Sequence, residues 1–108
     1  MNNEELLKKM RAARFIENNG RVLRTINILR HKYEQLKDIR FALDDLEEAG
    51  FLDCINFLTE AGYIKLRSVA SKACSAIEDA DYTLLEAKLT EKGIRLLSGQ
   101  LADNMVEI

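Results

Sequence analysis

The amino-acid sequence predicts a mostly helical chain with a small antiparallel β-hairpin, and three observations carry that prediction. Apolar residues recur at helical spacing through most of the first half and again near the end. The period shortens to two in only two places, Tyr63 to Arg67 and Thr83 to Leu89. The 108 residues include no proline, where average usage would supply about five. This length suits one domain with a single core. Its 47% apolar and 31% charged residues match a globular rather than a disordered chain.

The first segment, Glu4 to Asn18, sets Leu6, Leu7, Met10, Ala13 and Ile16 near helical spacing among Lys8, Lys9, Arg11 and Arg14. Acids lead and bases follow, as a helix dipole favours. Asn18-Asn19-Gly20 tolerates positive φ and predicts a C-terminal cap. A second helix then runs from about Arg21 to Tyr33, burying Val22, Leu23, Ile26, Leu29 and Tyr33. One continuous helix is the alternative. From Leu36, Ile39, Leu43 and Leu46 line a stripe, supported by Phe41 and Ala42, that Gly50 ends. Asp53 predicts the N-cap of a short helix, stapled by Leu52 and Phe57, burying Ile55 and Leu58 and stopping at Gly62. Leu46-Glu47-Glu48-Ala49-Gly50-Phe51 echoes Leu58-Thr59-Glu60-Ala61-Gly62-Tyr63, which predicts the same glycine stop twice.

Ile64 and Leu66 alternate with Lys65 and Arg67 in the first strand, and Leu85, Ala87 and Leu89 alternate with Leu84, Glu86 and Lys88 in the second. Ser68 to Tyr82 reads as the hairpin tip, with a helical turn around Ala70 to Ile77. Thr90 caps a last helix carrying Ile94, Leu96 and Leu97 and closed by Gly99, with Gly93 inside it at a cost of about 1 kcal/mol relative to Ala. The tail, Leu101 to Ile108, pairs as a short strand or lies over the core. The predicted organisation is thus one domain, 1–108: an amphipathic extension (1–20), a helical core (21–62), a hairpin (63–89), and a last helix with tail (90–108).

Chemistry-bearing constellations are sparse. One histidine, His31, and two cysteines, Cys54 and Cys74, predict no metal site, no cofactor, no disulfide framework and no nucleophile, hence no enzyme. Phosphate-cradling and nucleophile-elbow glycine motifs are missing from the sequence. Asp44, Asp45, Glu47 and Glu48 lack the loop pattern of a calcium site and read as a solvated face or a contact for a basic partner. An acidic start and the lack of a long apolar run predict neither secretory leader nor membrane span, and so a cytoplasmic location.

The order helix, helix, short helix, strand, long tip, strand resembles a winged helix-turn-helix. Asp38 to Gly50, Leu52 to Gly62 and Tyr63-Ile64-Lys65-Leu66 look like its helix pair and first wing strand. Leu85 to Gly99, with Leu89-Thr90-Glu91-Lys92-Gly93 entering the last helix and Gly99 to Asp103 following, is similar to small winged-helix proteins of phages and prophages. The likeness spans roughly residues 36 to 108. It implies a DNA-binding module, commonly a transcriptional regulator, with the second helix of the pair in the major groove.

Charge divides along the chain. Residues 1–40 hold ten bases and five acids, residues 41–60 six acids and no base, residues 61–72 three bases, and residues 73–108 three bases and seven acids. The implied recognition helix therefore exposes Asp53, Asn56, Thr59 and Glu60, of which Asn56 suits adenine. Phosphate contacts fall to the wing, at Lys65, Arg67 and Lys72. The candidate nucleic-acid residues are Asn56, Thr59, Lys65, Arg67 and Lys72. With four to six phosphates neutralised, log K against log salt would slope at about −4 to −5. A winged helix used for protein assembly, without nucleic acid, is the competing expectation. Leu6, Leu7, Met10, Phe15 and Ile16 predict a homodimer through the amino-terminal helix, or else its packing across its own domain.

Overall fold

Asn2 opens the first helix by accepting a hydrogen bond on its side-chain oxygen from the Glu5 amide, 2.9 Å away. In the computed structural model, which describes residues 2–78 and 80–108, this helix, α1, runs unbroken over Asn3–Asn27. Met1 and Asp79, the latter inside the predicted hairpin tip, lie outside the described residues. Asn18-Asn19-Gly20 is no cap. Asn19 and Gly20 are buried in mid-helix because the carboxy-terminal tail crosses them. Asn19 Nδ2 donates to the Met105 carbonyl at 2.9 Å, and a Cβ on Gly20 would overlap the Glu107 carbonyl. The helix ends at Asn27, short of Tyr33, and residues 28–32 form turns.

Strand β1 (Glu34–Gln35) leads into helix α2 (Leu36–Ala42), which unwinds at Leu43. Leu43 and Leu46 are buried from the turn that follows, rather than from one helix reaching Gly50. Helix α3 (Glu48–Glu60) begins five residues before Asp53, with Glu47 at the N-cap position. Gly50 sits in its first turn with ordinary helical backbone, so the predicted stop there and the predicted staple after it are both corrected. The cause is apolar spacing. Phe51, Cys54, Ile55 and Leu58 follow the i, i+3, i+4, i+7 rule and are all buried, and that face outweighs one glycine. Gly62 is the stop the sequence predicts, at φ +84°, a conformation that favours glycine.

Strand β2 (Ile64–Ser68) and strand β3 (Leu85–Leu89) form the predicted hairpin, in register Ile64 to Leu89 and Ser68 to Leu85. β1 pairs with the other edge of β3, giving the antiparallel order β1-β3-β2. The tip has no helical turn at 70–77. It carries an isolated bridge from Arg67 to Cys74, and a short 3-10 turn, Tyr82–Leu84, precedes β3. Helix α4 (Glu91–Leu97) starts as expected, with Thr90 Oγ1 accepting from the Gly93 amide at 3.1 Å. The tail lies across α1 and forms no strand.

A single core joins these elements. Val22, Leu23 and Ile26 of α1 meet Ile39, Phe51, Ile55, Leu58, Leu66, Ala87 and Leu96. Phe15 packs edge-on to Phe57 at 5.6 Å, tying the middle of α1 to α3. Before Phe15 the helix leaves the body: residues 3–14 are all exposed. Among the described residues no helix is long and apolar enough to cross a membrane.

Candidate functional site

The hairpin places its charges by strand alternation. Lys65 and Arg67 fall on one face of β2 and register with Lys88 and Glu86 of β3, so these four share the outer face of the sheet. Glu86 is only 6% exposed. Arg67 Nε donates to its Oε1 at 2.6 Å and Lys72 Nζ to the same oxygen at 3.0 Å. The Arg67 guanidinium lies 3.6 Å from the centre of the Tyr33 ring, which covers the pair. Burial disfavours the charged carboxylate, but the hydrogen bonds from Arg67 and Lys72 prevail and hold Glu86 below its ordinary range. Lys72 takes left-handed backbone, φ 61°, which turns its side chain back over the hairpin to reach Glu86.

Helix α3 is charged in the opposite sense. Glu48, Asp53, Asn56 and Glu60 are exposed along it, while the half-buried Thr59 donates its hydroxyl to the Ile55 carbonyl at 2.7 Å. In the turn before it, Asp45 accepts two hydrogen bonds from Arg21, at 2.7 and 2.8 Å. Those bonds lower the Asp45 pKa. Asp44, Glu47 and Glu48 are exposed nearby.

The five residues predicted to contact nucleic acid are therefore unequal. Asn56 and Lys65 are exposed, Thr59 is engaged with its own helix, and Arg67 and Lys72 are brought together by Glu86. Sequence reasoning missed Glu86 as their shared anion, although strand alternation across from Arg67 contained the signal. It also missed Tyr33, whose role depends on a two-residue strand with no periodicity to read. Phe41, expected to support the stripe of Ile39, Leu43 and Leu46, is instead 84% exposed on α2, beside Lys37, Arg40, Asp44 and Tyr82 around a shallow hollow of about 260 Å³.

Two further titratable groups are shifted by their packing. Cys54 is buried, and burial, with the nearby Asp53 charge, pushes its thiol up to about 12. Tyr63 is likewise pushed up to about 12, by burial and by its hydrogen bond to Asp103. Among the described residues no group of three His, Cys, Asp or Glu is arranged to hold a metal ion. Comparison with protein-family models, with characterised proteins and with solved structures returned no match.

Proposed function

We propose that this chain is a winged helix-turn-helix used as a protein-interaction or assembly module, rather than one that grips DNA through its second helix. The helix pair α2–α3 followed by a hairpin, and the sheet order β1-β3-β2, support the winged-helix reading. The carrying observation is electrostatic. Helix α3 offers phosphate three exposed carboxylates and no base, and two of the three wing cations are spent on Glu86. Phosphate neutralisation supplies most non-specific DNA affinity, so a face built this way repels a duplex. A basic protein surface is the complementary partner for α3 and the acidic turn before it.

The second reading is a small DNA-binding regulator of the phage or prophage type. Two features favour it: Lys65 and Lys88 stand opposite each other on the outer sheet face without an ion-pair partner among the described residues, and Asn56 remains exposed to read adenine. Titration of a labelled random-sequence duplex at low salt separates the two. The assembly reading expects no saturable binding. Binding whose log K falls against log salt with a slope of about −4 to −5, flattened by replacing Lys65 and Lys88 with Ala, would overturn it in favour of the regulator.

A further inference from the structure

A cleft of about 420 Å³ lies between the middle of α1 and the start of α3. That volume falls within the roughly 300–1,000 Å³ typical of small-molecule sites. Arg11, Arg14 and Phe15 line one wall, sharing a face of α1 through their i, i+3, i+4 spacing. Glu47, Gly50 and Asp53, three residues apart at the start of α3, line the other. The walls are therefore opposite in charge. Among the described residues, none of these two arginines and two carboxylates enters an ion pair. Asp45, also in the cleft, is already held by Arg21. Gly50 stands in the middle of the acidic wall. Its backbone is helical, a Cβ there would meet nothing within 4 Å, and glycine weakens a helix. Neither conformation nor packing within the chain accounts for it. Keeping a side chain out of the cleft does.

We propose that this cleft binds a free α-amino acid with an apolar side chain. The carboxylate faces Arg11 and Arg14, the ammonium faces Asp53 and Glu47, and the side chain rests on Phe15 and Leu46. Charge selects a ligand of both signs. An anion drawn to the arginines is repelled by the carboxylates opposite, and a cation drawn to those carboxylates is repelled by the arginines. A zwitterion meets both walls at once. The planar guanidinium fork suits a carboxylate, which it can grip through two parallel hydrogen bonds. The positive end of the α3 dipole does not reverse the acidic wall, because Glu47 and Glu48 lie on it. All four charged residues are exposed. Solvent screening therefore keeps the affinity in the millimolar range. This holds whether the outer face of α3 takes protein or DNA.

Amide NMR shifts of the isotope-labelled full chain, titrated with L-leucine, L-methionine or L-phenylalanine to about 50 mM, test the cleft. At least one should give saturable shifts centred on Gly50 and Asp53, half-complete at about 1–10 mM. N-acetyl-leucine and leucinamide each keep one charge only, and should bind about tenfold more weakly or worse. R11Q/R14Q and Gly50→Leu should each abolish the shifts. Far-UV circular dichroism should stay unchanged in both, because the arginines are exposed and Gly50 has open space beside it. No saturable shift from any of the three amino acids overturns the proposal. So does equal binding of the two single-charge derivatives, or saturation that survives Gly50→Leu. Binding lost in Gly50→Leu but kept in R11Q/R14Q overturns the assignment of the carboxylate to the arginines.

Discussion

Glu86 is a shielded carboxylate whose charge is held by two cations, and removing that charge alone has consequences for both stability and binding. Glu86→Gln keeps the shape but leaves Arg67 and Lys72 without their anion, and should cost about 1–3 kcal/mol in urea unfolding at pH 7. Lys72 is half exposed, which keeps the figure below that of a fully buried pair. The carboxylate titrates lower in the folded chain than in the unfolded one. Its contribution is therefore complete above the unfolded value of about 4.3 and is lost as pH falls through the folded one. The gap between wild type and Glu86→Gln should narrow between pH 6 and pH 3, and a constant gap would refute this account. Under the DNA reading, the same change frees two cations and should steepen the salt slope by about one to two.

At the scale of elements, two glycines predicted to punctuate helices both lie inside them, for different reasons. Gly50 has helical backbone and open space where a Cβ would stand. Gly50→Ala should therefore stabilise the chain by about 0.5–1 kcal/mol. A left-handed cap at Gly50 would give the opposite sign, so thermal melting decides between the two conformations. Gly20→Ala should destabilise by about 1–3 kcal/mol or displace the tail, since its Cβ would meet backbone. The difference marks what the sequence could tell. The i, i+3, i+4, i+7 set starting at Phe51 was legible and points to an earlier start for α3, but a local glycine signal obscured it. Asn19 and Gly20 answer to residues 105–107, and no window along the chain contains both. Strands β2 and β3 and the start of α4 were legible because alternation and a Thr cap are local. Of the candidate site, Lys65 and Asn56 were legible as exposed positions, whereas the neutralisation of Arg67 and Lys72 depends on cross-strand register.

For the whole molecule, closure of the fold rests on its last six residues. Val106 is buried, the Glu107 amide donates to the Ile16 carbonyl at 3.2 Å, and Arg24 Nη1 donates to the Glu107 carbonyl at 2.7 Å. Asp103 accepts from the Tyr63 hydroxyl just beyond α4, so the segment ties the end of α3 to the middle of α1. Of the two sequence expectations for this tail, a strand or a cover over the core, only the second matches this geometry. Ending the chain after Ala102 exposes the Val106 site and strips Asn19, a fully buried amide, of its one hydrogen-bonded partner. Loss of the valine contributes about 1.5–3 kcal/mol and the orphaned amide about 1–3 kcal/mol. Water entering the vacated groove offsets part of the second, so the net expectation is about 2–4 kcal/mol. Urea unfolding of residues 1–102 measures it. A loss under about 0.5 kcal/mol would mean that α1 holds its place without the tail, and Gly20→Ala should then be silent in that shortened chain as well.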